Sequence, residues 1–231
     1  MQSSSLVFKS LSLAVMLCAA RLAHADVTVF TDEAAYLAAV GDTGTDKFDN
    51  FTTNAPEGPL QREAGEYGYT VATAGLDSSP YLYVSPSEDG WLSTQRPADY
   101  LVFSHFSSKV RGVGGLFFNT DFFGDYADGA DLTLTATEQT GNTVSYTFTP
   151  TSSASFLGFV ATGALSEITV HTPGDNFLYP TVNNLHLSVA AVPEPASYAM
   201  LLAGLAMVGA IARRRALDRS AQSRGRGAPI Q

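Results

Sequence analysis

The residues of this chain best suited to chemistry lie in one acidic segment, 119–131, which reads NTDFFGDYADGAD. Carboxylate and amide oxygens are the hard ligands that calcium prefers, and the glycines allow sharp turns between them. The spacing fits neither the EF-hand loop nor the nonapeptide calcium repeat. The segment therefore predicts either a calcium site, calcium being the one cofactor this sequence suggests, or a solvated acidic turn between two strands. The candidate ligands are Asn119, Asp121, Asp125, Asp128 and Asp131.

Aromatic residues in or beside the expected loops form a second candidate site, for a glycan. Sugar-binding surfaces stack pyranose rings on flat aromatic side chains, which offer a large apolar face. Most aromatic residues of a small β protein lie in its core instead, so position beside a loop is the criterion here. The candidate glycan-binding residues are Tyr83, Trp91 and Tyr126.

Signatures of catalysis are missing from the sequence. It contains no Gly-x-Ser-x-Gly and no His-Glu-x-x-His motif, and His105, His171 and His186 lack both a partnered serine motif and metal-ligand spacing. We therefore predict a protein without enzymatic activity. Glycoside hydrolysis needs only two carboxyl groups that the fold brings close together, and no sequence motif identifies such a pair. A glycoside-acting enzyme therefore remains the alternative.

The elements that must position these residues are mostly strands. Short apolar runs alternate with Gly, Pro, Asn and Asp, which predicts an all-β protein: a jelly-roll-like β-sandwich with one minor helix. The helix is expected over Asp32–Val40, capped by Thr31 or Asp32 and stopped by Gly41. Strands are predicted at Val27–Phe30, Lys47–Phe51, Tyr69–Thr73, Tyr81–Val84, Asp99–Phe106, Val110–Phe118, Phe156–Val160, Ile168–Thr172 and Leu185–Ala190, with a loop at Thr52–Gly65 and a hairpin joining Asp131–Thr137 to Thr143–Thr149.

The N-terminus has the pattern of a secretory signal peptide, residues 1–25. Lys9 gives a weakly positive start, Leu11–Ala20 is apolar, and Ala23-His24-Ala25 has the small residues of a cleavage site. The apolar run is too short for a membrane-spanning helix. We expect cleavage before Asp26, which also removes the only cysteine of the chain.

Near the other end of the chain, three parts follow one another. Val192, Pro193, Glu194 and Pro195 form a stiff entry, because each proline fixes φ and disfavours helix at the residue before it. Tyr198–Ala212 carries no charge and is rich in helix formers, and Arg213, Arg214 and Arg215 close the run. Such a helix would be about 22 Å long, against a hydrocarbon core of roughly 30 Å. The residues alone are compatible with a buried core helix, a permanent membrane anchor or a sorting signal cut near the Pro-Glu-Pro.

This order of parts resembles the PEP-CTERM sorting signal of Gram-negative bacteria. The resemblance implies recognition by an exosortase, a membrane-embedded transpeptidase-like enzyme, in species that make extracellular polysaccharide. It assigns the signal to residues 191–215, with a single membrane-spanning helix at 198–212. Residues 216–231, longer than the tail usual in that family, are predicted to be a disordered basic tail. The same segment is also labelled an ice-binding protein C-terminal domain, a label that does not imply ice binding.

Charge is divided unevenly along the chain. Residues 26–190, the predicted sandwich domain, hold 20 of the 22 acidic residues and five of the 13 basic residues, a formal charge of −15. So acidic a surface argues against nucleic acid as a partner. Six arginines follow the apolar run, so by the positive-inside rule that end stays cytoplasmic and the domain lies outside the cytoplasm.

Together these features predict an exported, non-enzymatic protein of the cell surface or extracellular matrix. We expect a precursor anchored in the inner membrane, sorting by an exosortase, and association with exopolysaccharide or biofilm. The alternative is a carbohydrate-binding or carbohydrate-processing, lectin-like domain, with calcium as its candidate cofactor.

Overall fold

The computed structural model describes residues 26–85, 90–174, 177–191 and 201–214. The predicted signal peptide, 1–25, and the predicted tail, 216–231, lie outside the described residues. The chain divides into two compact units, the first ending at Ala190 and the second beginning at Ala191.

The described part of the first unit is a sandwich of two antiparallel β-sheets, which confirms the predicted β-sandwich; the jelly-roll assignment stays a prediction. Its elements are β1 (Val27–Phe30), α1 (Glu33–Ala39), β2 (Val40–Asp46), β3 (Leu60–Ala64), β4 (Tyr67–Ala74), β5 (Leu82–Val84), β6 (Leu92–Thr94), β7 (Tyr100–Ser104), β8 (Val110–Thr120), β9 (Leu132–Glu138), β10 (Thr143–Phe148), β11 (Phe156–Ala161), β12 (Leu165–His171) and β13 (Tyr179–Ala190). The first sheet has the order β1-β11-β8-β13-β6-β5, with β2 also paired to β13. The second has the order β10-β9-β12-β7-β4-β3.

Strand β9 illustrates how the core arises from alternation. Leu132, Leu134 and Ala136 are fully buried, whereas the threonines between them are partly exposed. Successive side chains of a strand point to opposite faces, so each sheet presents one apolar face to the other. The buried residues of both sheets form one continuous cluster. The predicted hairpin is confirmed, since β9 pairs with β10 from Thr143 opposite Thr137 onwards.

Helix α1 begins where the sequence predicts and ends earlier. The Asp32 carboxylate is the cap, and its Oδ1 accepts a hydrogen bond from the Ala35 amide at 2.8 Å. Val40, expected as the last helical residue, is extended and pairs with Ala190 of β13. The predicted stop at Gly41 is therefore wrong, because sheet pairing ends the helix one residue before Val40.

Strand predictions between α1 and β7 are partly wrong. The strand predicted at Lys47–Phe51 lies instead at β2, and Phe48, fully buried with φ of 55°, leaves the extended region. The predicted loop Thr52–Gly65 contains β3, which was not predicted because its sequence, LQREA, is mostly polar. The three-residue strand β6 was not predicted. Strand β2 pairs with the distant β13, β6 with β5 and β13, and β3 with the neighbouring β4; in each case strand pairing overrides weak local preference.

The described part of the second unit is a helix over residues 201–214. Its large apolar side chains, among them Leu201, Leu205 and Val208, are exposed. The helix includes Arg213 and Arg214, which were expected to follow it; arginine is a good helix former. Within the described residues, no helix has both the length and the apolar content needed to cross a bilayer. The predicted helix at 198–212 begins outside the described residues, and its membrane-spanning role stays a prediction.

Candidate functional site

A cleft of about 220 Å³ opens at one end of the first sheet, and we call it the aromatic cleft. It lies where β8 ends and β13 begins, next to the paired strands β5 and β6. The loop after β8 closes one side. The residues that line it are Tyr83, Trp91, Ser93, Thr94, Gln95, Thr120, Asp121, Phe122, Gly124 and Tyr179.

Two aromatic rings form one wall of the aromatic cleft. Tyr83 lies on β5 and Trp91 immediately precedes β6, and their ring centroids are 5.6 Å apart with a tilt of 39°. The indole also packs against the backbone of Gly124, where an added Cβ would lie 3.0 Å from the indole carbon Cζ2. Gly124 has φ of 84°, so both its backbone conformation and this contact require glycine.

Asp121 shapes the loop that faces this wall. Its Oδ1 accepts hydrogen bonds from the Phe123 amide at 2.8 Å and the Asp125 amide at 3.0 Å. The Asp121 amide in turn donates to the Asp125 carbonyl at 2.9 Å. This closed turn presents Phe122 with 78 % of its surface exposed. A ligand that enters the cleft would bury part of this exposed apolar ring.

Buried hydroxyls make the floor of the aromatic cleft polar and rigid. Thr181 Oγ1 lies 2.9 Å from Thr120 Oγ1 and donates to Ser93 Oγ at 3.0 Å. Ser93 Oγ donates to the Pro180 carbonyl at 3.0 Å. Burial and the nearby Asp121 carboxylate raise the pKa of Tyr179, so its hydroxyl stays protonated and able to donate at neutral pH.

The structure brings two of the three candidate glycan residues together. Tyr83 and Trp91 line the aromatic cleft, but Tyr126 does not. The Tyr126 hydroxyl donates to the Thr151 carbonyl at 2.6 Å, and its ring packs edge-on against Phe118. It therefore ties the loop to the sandwich. Tyr179 was not among the candidates, because its place in the cleft depends on the pairing of β13 with β8.

Three of the candidate calcium ligands, Asn119, Asp121 and Asp128, form side-chain hydrogen bonds within the protein, while Asp125 is exposed and Asp131 partly exposed. Asn119 is fully buried; its Oδ1 accepts from the Thr172 hydroxyl at 2.6 Å, and its Nδ2 donates to the Asp131 carbonyl at 3.2 Å. Asp128 accepts from the Tyr126 hydroxyl at 3.2 Å. No group of three or more His, Cys, Asp or Glu side chains in the described part of the chain is placed to hold a metal ion. The calcium prediction thus gains no support from the geometry and stays a prediction.

We expect Asn119→Ala to destabilise the protein by about 1–3 kcal/mol, because it leaves buried hydrogen-bonding groups without partners. The exposed Asp125→Asn is the matched control from the same loop and should change stability by no more than about 0.5 kcal/mol. Urea denaturation of both variants measures the difference. Equal midpoints would contradict the structural role assigned to Asn119.

The three histidines are placed in separate surroundings. His186 is buried at the junction of α1, β2 and β13, with Nε2 3.0 Å from Glu33 Oε1 and Nδ1 2.8 Å from Thr45 Oγ1. His171 lies edge-on to Tyr100, and burial lowers its pKa. These contacts connect elements of the sandwich, and none of the three histidines lines the aromatic cleft.

Most of the predicted sorting residues, namely Val192, Pro193, Glu194, Pro195 and Arg215, lie outside the described residues. Arg213 and Arg214 lie in the helix over residues 201–214 and are exposed. Comparison with protein-family models settles the identity of the segment: residues 191–216 match the PEP-CTERM protein-sorting motif. The resemblance seen in the sequence is confirmed, and the motif marks the chain for export and processing by an exosortase.

Two further comparisons add little about the sandwich. No curated protein matches the chain in sequence. Among solved structures, it is similar to the N-terminal CBM22-1-CBM22-2 tandem domain of Xyn10C from Paenibacillus barcinonensis, with 12 % identity and a TM-score of 0.32. The match covers 68 % of this chain and 49 % of that one, so the chain spans about half of that structure.

Proposed function

We propose that this PEP-CTERM protein is a non-enzymatic surface or matrix protein that binds extracellular polysaccharide through the aromatic cleft. The sorting motif brings the chain to the cell exterior. The cleft then supplies the contact with the surrounding glycan. The proposal rests mainly on one observation: the paired rings of Tyr83 and Trp91 line a cleft that is also lined by residues with hydroxyl groups.

A sugar ring has an apolar face of C–H groups and an edge of hydroxyls. Tyr83 and Trp91 offer a flat apolar surface for the face, and Phe122 adds a third ring at the rim. Gln95 and Tyr179 offer polar groups for the edge. At about 220 Å³ the cleft is smaller than the roughly 300–1,000 Å³ of sites for drug-sized ligands. This size suits a short stretch of a longer sugar chain.

Binding is favoured over hydrolysis by the charges in the aromatic cleft. Glycoside hydrolysis uses two carboxyl groups on either side of the bond. Among the described residues that line the cleft, only Asp121 carries a carboxylate, and its Oδ1 is occupied by two amides of the loop.

We further infer that the apolar segment at 198–212 enters the inner membrane before the exosortase acts. The exposed Leu201, Leu205 and Val208 of the described helix support this, because such side chains are stable in hydrocarbon. Arginines at the helix end, including Arg213 and Arg214, would remain at the cytoplasmic face.

Trp91→Ala should weaken binding to the polysaccharide of the producing bacterium at least tenfold, because stacking on the indole is lost. Tyr100→Ala is the control: Tyr100 is an exposed aromatic residue that lies on β7 in the other sheet. Electrophoresis in gels containing the polysaccharide compares the three proteins, with thermal melting as a check of folding. Equal retardation of Trp91→Ala and the unchanged protein would refute the site.

A further inference from the structure

The aromatic cleft carries charge of one sign. Among the described residues that line it there is no Lys, Arg or His, and Asp121 is the one carboxylate. Arg96, next to Gln95 in the chain, donates from its Nη1 to the Asp77 carbonyl. The cleft therefore offers sugar hydroxyls the polar groups of Gln95, Asp121 and Tyr179, and offers a sugar carboxylate no counter-charge.

The position of this carboxylate is fixed. Its Oδ1 accepts from the amides of Phe123 and Asp125, which holds the carboxylate against the loop that lines the cleft. Its charge also reaches Tyr179 at the start of the paired strand β13, since it contributes, after burial, to the raised pKa of Tyr179. A negative group bound between Asp121 and Tyr179 would meet the same field.

We propose that the aromatic cleft selects uncharged sugar residues and rejects sugar carboxylates, with Asp121 as the residue that sets this preference. The inference rests on the proposed function, because it names the class of glycan that the same cleft takes. Close like charges repel strongly where water is partly excluded, whereas a carboxylate is a good acceptor for neutral hydroxyl groups. The acidic surface of the domain acts in the same direction at longer range.

The chain provides its own reporter for the test, because its only tryptophan is Trp91. Ligand binding in the aromatic cleft changes the surroundings of the indole and therefore its fluorescence. The full-length protein, purified in detergent, is titrated with cellohexaose, maltohexaose and mannohexaose. Each is compared with the product in which its primary alcohols have been oxidised to carboxylates, so that the two members of a pair differ only at these positions.

We expect at least one neutral hexaose to bind at least tenfold more tightly than its oxidised partner at about 20 mM salt. The dissociation constant of the oxidised hexaose divided by that of the neutral one should fall as salt is raised, because added ions screen the repulsion. Asp121→Asn should lower the ratio as well, since the amide oxygen keeps an acceptor for the loop while the charge is removed. The salt dependence of the unchanged protein tests the same point if the variant does not fold.

Failure has two distinguishable forms. If a neutral hexaose and its oxidised partner bind equally, or the oxidised partner binds more tightly, the preference for uncharged sugars is overturned while glycan binding stands. If none of the six sugars changes the fluorescence, both this inference and the proposed glycan site are overturned.

Discussion

Replacing Pro193, Glu194 and Pro195 together by alanine should leave full-length, uncut protein in the membrane of the producing bacterium. The two prolines are expected to hold the backbone extended just outside the apolar segment, where a processing enzyme can reach the peptide bonds. Alanine is the best helix former, so the triple variant would extend the helix and hide those bonds. Because the motif is the signal for sorting, we expect nearly complete loss of processing.

Intact-mass measurement of the protein from cells and medium decides the outcome. A matched control replaces three arginines after the matched segment, Arg219, Arg224 and Arg226, by alanine; this variant should be processed normally. Circular dichroism of both variants should show the same β-rich spectrum, since the sandwich ends before the motif. A triple-alanine protein processed like the control would mean that Pro-Glu-Pro is not read by the exosortase.

The second large effect is expected at a buried ion pair that joins the two sheets. Asp46 at the end of β2 contacts Arg62 of β3 through Nη2–Oδ1 at 2.6 Å and Nε–Oδ2 at 2.9 Å. The Tyr69 hydroxyl of β4 donates to Asp46 Oδ2 at 2.7 Å. Burial, followed by the Asp46 charge, raises the pKa of Tyr69, so this donor keeps its proton. The Arg62 guanidinium also lies 4.3 Å from the centroid of the Phe51 ring.

Arg62→Met should destabilise the protein by about 3–5 kcal/mol, because the Asp46 carboxylate is left buried without its counter-charge. The methionine keeps most of the apolar stem, so the change reports mainly on charge. Lys109→Met, at an exposed position, removes one positive charge as well and should shift stability by no more than about 0.5 kcal/mol. Urea denaturation gives both values. A loss below about 1 kcal/mol for Arg62→Met would contradict a buried clamp between the sheets.

Local pattern was sufficient for the features that depend on neighbours in sequence. The alternation of β9 and β10 predicted their hairpin, and Asp32 predicted the start of α1. The sorting motif could be recognised from the sequence for the same reason. Its parts follow one another along the chain, and each is distinguished by its own residue types. These signals are carried by propensity, periodicity and charge along a single stretch of chain.

Tertiary structure alone decided the candidate site. The aromatic cleft takes residues from β5, β6, β8, β13 and a loop, and only the pairing of β8 with β13 places Tyr179 opposite Thr120. Strand β8 ends at Thr120, so the side chain of Asn119 is buried and forms hydrogen bonds, while Asp121 lies in the following loop and lines the cleft. A shift of one residue in register moves every side chain of a strand to the other face of the sheet. The sequence of β8 does not indicate which face its last side chains occupy. The residue types were visible in the sequence, but their directions were fixed by partners about 60 residues further along the chain.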